Sequence, residues 1–536
     1  MNDTHFTITV FIALLLVASG VAMAAKWVRV PYTLMLVIVG LIISPMHFLP
    51  PVHVSPELIL LIFLPALLFE AAWNLNLSHL RENLIPILML AVPGVVISVG
   101  IIGAILHFGT GLSWNLALLF GAMISATDPV SVLALFKKLN LPGRLTTIVE
   151  GESLFNDGTA VVIFRILVGI VIGTTAGSTG QLVWSSLREF GVVVFGGLAL
   201  GAGIGFLAST LTSYFDDHLL EITLTTIAAY GSFLMAEALH VSPVIAILIT
   251  GLVMGNYGKR VGMSPSTQVA VNSFWEYAAF VVNSLVFLLI GLEMQLSTLA
   301  ENIRPIAWGI ASILVARAVA VYGLSPLSNR LDEPVPLRWQ HIFFWGGLRG
   351  SLSIALVLSL PTTLPGRSQL VAMVFGTVIF SLLAQGLSIA PLISLLKFAR
   401  REPVAREYEL LQGQLLADTA AIAEVDNLRK RGMISARVHE MLQNDLKKSH
   451  KELSDNLAQL DAADLAVEQE QLRRLRRHLI NVKKARLVEL FREGILPEAI
   501  RSEINERIDQ EFASTHSELN GHQRLKEDDP SSNGNA

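Results

Sequence analysis

The 536-residue chain has no cysteine, which excludes disulfides, iron–sulfur clusters and thiolate metal sites. Charge is scarce as well. Asp, Glu, Lys and Arg make up 15% of the residues, against about 25% in an ordinary soluble domain. The scarcity is local: 35 of the 397 residues from Met1 to Lys397 are charged, about 9%, whereas the last 139 carry 47, about 34%. A net charge of −4 lacks the excess of either sign that would point to nucleic acid. There is no phosphate-binding loop, because Gly258-Lys259 is followed by Arg260 and Val253 stands where the first glycine is required. This argues against an ATP-driven pump. The Gly-x-Gly-Asp motif of an intramembrane aspartyl protease is missing too. The 13 histidines are scattered without metal-ligand spacing. No enzymatic activity and no cofactor is expected.

What the chain has in abundance is long apolar runs. A helix needs roughly 20 mostly apolar residues to cross a bilayer, and about thirteen stretches meet that length. The expected fold is all-α: a polytopic membrane body over residues 1–398 and a charged, helical cytoplasmic tail over 399–536. Met1-Asn2-Asp3-Thr4-His5 lacks the basic region of a signal peptide, so the first stretch is expected to be retained. The ninth stretch, Pro243–Tyr257, is short, and the fifth (Trp114–Phe136) and twelfth (Gln340–Leu360) are interrupted.

An odd number of spans puts the termini on opposite sides. With the tail in the cytoplasm, 13 Lys and Arg, among them Arg81, Lys137, Lys138, Arg144 and Arg260, fall inside, and only Arg188, Arg304 and Arg367 fall outside. This follows the positive-inside bias and places the N-terminus outside.

Charge near the bilayer centre costs at least about 2.5–3.5 kcal/mol on insertion scales, so the charges left there are functional candidates. They are Glu70, Asp128, Glu152, Asp157, Arg165, Arg317 and Arg349, with Glu237 and Glu276 in weaker contexts. In Ser125-Ala126-Thr127-Asp128-Pro129, the proline removes a backbone donor and disfavours helical geometry at Asp128. Broken backbone at membrane depth survives only where it is buried in protein or lines a cavity, so a carboxylate beside it reads as an ion site. In Glu152-Ser153-Leu154-Phe155-Asn156-Asp157, Ser153 and Asp157 share one helix face, and Glu152 and Asn156 share a neighbouring one. A carboxylate, a hydroxyl and an amide oxygen together suit a small alkali cation better than a transition metal. Arg165 fits packing or an interface as well as function.

These segments resemble the sodium/proton exchangers of the monovalent cation:proton antiporter-1 family, which are related to the eukaryotic sodium/hydrogen exchangers. Leu64-Pro65-Ala66-Leu67-Leu68-Phe69-Glu70, Ala316-Arg317 and Gly346-Gly347-Leu348-Arg349-Gly350 match in order and spacing, so the resemblance covers the whole apolar body. It implies about thirteen helices with two six-helix inverted repeats and a crossed pair of broken helices, the fifth and twelfth. It further implies a homodimer in the bacterial inner membrane that exchanges Na⁺ or Li⁺ for protons in sodium and pH homeostasis. Asp157 would be the main carrier of cation and proton. Asp128, Ser153 and the Thr127 carbonyl would complete the site, and Glu70 would reach the ion through water. Glu152 needs a cationic partner; the family pattern favours Arg317, with Arg349 as competitor. Two broken helices also bring partly negative C-terminal ends together, which a cation such as Arg349 would neutralise.

Electrogenic relatives carry two adjacent aspartates where this chain has Asn156-Asp157. The resemblance therefore implies electroneutral exchange of one proton for one cation. A K⁺/H⁺ antiporter is the alternative, and a membrane sensor that signals through the tail is an alternative of another class. In the tail, Leu411, Leu415, Ile422 and Val425 follow helical spacing, as do Ile500, Ile504 and Ile508. Arg473–Arg477 reads as a basic helix face, Gly494–Pro497 as a break between helices, and Asp528–Ala536 as a disordered end.

Overall fold

The structure is a computed structural model, and it describes residues 3–25, 27, 32–44, 59–139, 141–172, 179–214, 217–293, 296–361, 363–396 and 403–461, with single positions 483, 487, 497, 500 and 504. The basic run Arg473–Arg477, most of the Gly494–Pro497 break, Ile508 and the end Asp528–Ala536 lie outside the described residues. The chain divides into two compact units, residues 1–400 and 401–536.

Every regular element described in the first unit is a helix. Apart from short elements at Ile59–Phe63, Leu77–Glu82 and Leu296–Glu301, in chain order they are α1 (Asp3–Ala25), α2 (Tyr32–Ile43), α3 (Leu64–Asn74), α4 (Leu84–Thr110), α5 (Trp114–Ser125), α6 (Val130–Leu139) and α7 (Gly143–Ile172). Then come α8 (Thr179–Thr212), α9 (His218–Ala238), α10 (Pro243–Val261), α11 (Pro265–Glu293), α12 (Ile303–Leu331), α13 (Leu337–Trp345), α14 (Ser351–Leu358) and α15 (Arg367–Leu395). Eight of these contain segments long and apolar enough to cross a bilayer by themselves, and Thr9–Ala25, Tyr32–Ile43, Ile59–Asn74 and Trp114–Ser125 are shorter apolar helices.

The interruptions expected in the fifth and twelfth stretches are real breaks. The chain leaves the helix at Ala126–Pro129, between α5 and α6, and again at Gly346–Gly350, between α13 and α14. Each half-helix is too short to span alone. The ninth stretch is longer than its sequence suggests, because a π-helical turn at Met254–Gly258 carries α10 on to Val261.

Close packing holds the broken pair in the middle of the unit. α5 packs on α4 and α7, and α14 packs on α5 and α15. α3 is clamped between α10 and α11: Phe69 lies 4.5 Å from Trp275 between ring centres, and the Trp73 indole donates to Asn272 Oδ1 at 2.6 Å. The outer faces keep large apolar side chains exposed, such as Leu16, Phe108 and Phe195, as lipid-facing surfaces do.

The second unit contains two described helices, α16 (Pro403–Lys430) and α17 (Ala436–Asp461), packed on each other as a hairpin. The apolar spacing there marks the covered face, with Val425 buried and Leu411, Leu415 and Ile422 half-buried.

Candidate functional site

The two breaks meet. The Asp128 amide donates to the Leu348 carbonyl at 2.8 Å, so the extended segment after α5 is tied to the extended segment after α13. Pro129 has no amide to offer and Gly346, Gly347 and Gly350 favour non-helical backbone, which is why both chains leave the helix here. Gly350 is required for another reason: a Cβ there would lie 2.6 Å from Asp128 Cβ and 2.5 Å from its Oδ2. The Asp128 carboxylate caps its own break, accepting from the Val130 amide at 3.0 Å through Oδ1.

α7 runs beside the crossing and supplies the remaining polar groups. The Ser153 hydroxyl donates to the Thr127 carbonyl and accepts from Thr127 Oγ1 at 3.2 Å. Asn156 Nδ2 donates to Thr127 Oγ1 at 3.1 Å and to Glu152 Oε1 at 3.3 Å. Asp157 Oδ1 is buried and accepts no hydrogen bond among the described residues. A buried, unpartnered carboxylate oxygen carries a bare charge that a proton or a small cation would remove.

A cavity of about 650 Å³ reaches this point. Asp157, Asp128, Thr127 and Ser153 line it, and so does Glu70, whose Oε1 accepts from Asn74 Nδ2 at 2.7 Å. Asn156 does not line it. Its Nδ2 donates to Thr127 and Glu152, and its Oδ1, like Asp157 Oδ1, is buried without a hydrogen bond among the described residues.

Glu152 is absent from the cavity wall too. It is 4% exposed and forms a two-pronged pair with Arg317, Nη1 to Oε1 at 2.8 Å and Nη2 to Oε2 at 3.0 Å. Arg317 Nε donates to the Phe343 carbonyl at 3.0 Å, near the end of α13. One ion pair thus joins α7, α12 and the first half of the second broken helix. Arg349 is not the partner. It sits in the second break, 4% exposed, its amide donating to Ser381 Oγ at 2.8 Å, in a π-helical turn of α15. Its Nε and Nη1 make no hydrogen bond among the described residues.

Arg165 is exposed on α7 and is not part of the cavity wall. Glu276 does line it, together with Glu150, Lys137, Asn272 and Asn283, none of which stood out as a site residue in the sequence. Glu276 and Asn272 are one turn apart on α11, a signal visible in the sequence only once α11 is known to face α3. Among the described residues no cluster of three or more His, Asp or Glu is arranged to hold a metal ion.

Residues 10–395 match the family described as sodium/hydrogen exchanger, transmembrane. The chain is 43% identical over 500 residues to the Na⁺/H⁺ antiporter ApNhaP of Aphanothece halophytica, covering 91% of this chain and 94% of that protein. It is 39% identical over 508 residues to the Na⁺/H⁺ antiporter NhaG of Bacillus atrophaeus, covering 92% and 95%. Among solved structures, the sodium proton antiporter MjNhaP1 from Methanocaldococcus jannaschii at pH 8 superposes with a TM-score of 0.63 at 21% identity, covering 74% of this chain and all of that one; it supports the fold.

Proposed function

The chain belongs to the transmembrane sodium/hydrogen exchanger family, and from that premise we propose that it exchanges Na⁺ for H⁺ across a membrane, one for one. It is an integral membrane protein. The observation that carries the reading is Asp157 at the crossing of two broken helices, lining a 650 Å³ cavity with a buried oxygen that accepts no hydrogen bond among the described residues.

Asp157 binds a proton or a Na⁺ ion, since either removes a bare buried charge. Asp128, Ser153 and the Thr127 carbonyl complete the ion's oxygen shell, and Glu70 contributes through water. The loaded carrier switches sides, whereas the empty, charged one does not; this is what couples the two fluxes. Glu152 and Arg317 hold the scaffold. Arg349 counters the partly negative ends of α5 and α13.

The cavity wall includes the last residue of α3, Asn74, the end of α6 and the early turns of α7. Arg81, Lys137, Lys138 and Arg144 cluster at the same end, and the positive-inside bias makes this the cytoplasmic side. The cavity is accordingly inward-open, with the N-terminus outside. Thirteen crossings, each broken pair counted as one, a homodimeric assembly in a bacterial inner membrane and a role in sodium and pH homeostasis complete the proposal. The body over residues 1–398 transports, and the tail over 399–536 tunes it. A truncation after Arg401 that inserts but transports at no pH would contradict that division. The relatives are named for Na⁺, which leaves the K⁺ alternative and the sensor alternative without support.

The test is reconstitution into vesicles with a pH-sensitive dye, followed by NaCl, LiCl or KCl. Na⁺ is expected to drive proton movement, and Asp157→Asn to abolish it in a protein of normal yield. Normal flux in folded Asp157→Asn would sink the carrier assignment.

A further inference from the structure

Lys137 is, among the described residues, the one basic side chain lining the cavity. It is exposed near the end of α6, and the wall around it carries five carboxylates: Glu70, Asp128, Glu150, Asp157 and Glu276. Glu70 and Glu150 share the wall with it. Glu150 lies seven residues before Asp157 on α7, about 10 Å at 1.5 Å per residue. Lys138, its exposed neighbour, does not line the cavity.

An ammonium held at the mouth of an acidic vestibule does what a loosely bound cation would do, but it cannot leave. It lowers the concentration of free cations that the carboxylates gather, because a local potential multiplies cation activity by a Boltzmann factor. We propose that Lys137 is a tethered competing cation that sets the apparent Na⁺ affinity of the inward-open state. The inference rests on the exchange reading.

The charge identity of the two transported ions makes this testable in an unusual way. Na⁺ and H⁺ carry the same charge, so a vestibule field scales both local activities by one factor. Competition at one carboxylate gives an apparent KM with two parts: the intrinsic Na⁺ constant, and that constant multiplied by the proton concentration over the proton constant. The field divides the first part by its factor and leaves the second unchanged. Removing Lys137 therefore lowers KM where protons compete weakly, at alkaline pH, and leaves KM alone at acid pH. For one unit charge at a separation on the order of 10 Å, in a medium between water and protein surface, the effect is roughly threefold.

The experiment measures Na⁺-dependent proton flux in everted membrane vesicles of full-length wild type, Lys137→Gln, Lys137→Glu, Lys137→Arg and Lys138→Gln, across the active pH range. At alkaline pH, Lys137→Gln is expected to lower KM about threefold with unchanged maximal velocity. Lys137→Glu lowers it further, Lys137→Arg restores the wild-type value, and Lys138→Gln shifts it less than Lys137→Gln. The shift vanishes at acid pH, and at about 1 M choline chloride, where the screening length falls to about 3 Å. A KM in both Lys137→Gln and Lys137→Glu that does not fall at alkaline pH overturns the proposal. An equal fold-change at acid pH does so as well, since it would mean that the substitution alters the intrinsic Na⁺ constant and not the vestibule field. An equal shift from Lys138→Gln also overturns it, since that would be general surface charge. Wild-type vesicles without Na⁺-dependent flux would instead refute the exchange reading itself.

Discussion

Glu152 and Arg317 share two parallel hydrogen bonds inside the protein, with both side chains nearly excluded from solvent. Breaking such a pair by removing one partner typically costs about 3–5 kcal/mol, because the other charge stays buried. Glu152→Gln and Arg317→Met are each expected to lower yield and melting temperature. The double variant should be less unstable than the two losses added together, since neither charge is then left alone. Additive losses in a thermal-shift series would show that the pair is not energetically coupled. Asn156 illustrates how a neighbour changes a residue's meaning. Spacing alone offers its amide oxygen as a ligand; in the fold its amide nitrogen also bridges Thr127 and Glu152, which ties α7 to the segment after α5.

At the scale of elements, the decisive feature is the meeting of two interrupted helices at Asp128 and Leu348. Gly350 lies against the Asp128 side chain with no room for a methyl group. Gly350→Ala must move that carboxylate, and a misplacement of about 1 Å in a positioned group can cost on the order of 100-fold in rate. Exchange should fall steeply while membrane insertion is kept. Wild-type exchange in Gly350→Ala would mean that Asp128 has no fixed place in the cycle. In the α16–α17 hairpin, His439 Nε2 meets Asp426 Oδ1 at 2.8 Å and Gln443 donates to the same oxygen. The His439 hydrogen bond, followed by that of Gln443, holds the Asp426 carboxyl below its ordinary value of 3.8. Because the folded value is the lower one, the contribution to stability is present above that ordinary value and is lost as pH falls through the depressed one. Amide exchange in α17 should be faster in Asp426→Asn than in wild type at neutral pH. The difference should shrink once wild-type Asp426 is itself protonated. An equal difference under both conditions would show that ionisation of Asp426 is irrelevant to the hairpin.

For the whole molecule, the question is net charge per cycle. If Asp157 carries one proton or one Na⁺, as proposed, the loaded carrier has the same charge in both directions. A charge moved through the membrane potential is worth about 2.3 kcal/mol per 100 mV, so electrogenic exchange would respond strongly to an imposed voltage. Na⁺/H⁺ exchange in vesicles clamped with K⁺ and valinomycin is expected to run at the same rate under either polarity. Acceleration by one polarity and slowing by the other would require a second proton carrier, with Asp128 and Glu70 as the candidates.

Composition and pattern determine, without any coordinates, that the chain is a helical membrane body with a charged tail, because apolar length and charge density are local quantities. The same holds for the two helix breaks, which Pro129 and the glycines of Gly346–Gly350 impose on their own backbone. Spacing along α7 puts Ser153 on the face of Asp157, again within one helix. Which arginine answers Glu152 is a different kind of fact, since Arg317 lies 165 residues away on α12; the family resemblance favours it, but local spacing leaves Arg349 as a competitor. The cavity wall is likewise decided by tertiary packing. Asn272, Glu276 and Asn283 belong to it because α11 is clamped against α3 through Trp73, Phe69 and Trp275, and Lys137 because α6 ends beside α7. These neighbours are far apart in sequence and are brought together by helix packing, which no local periodicity encodes.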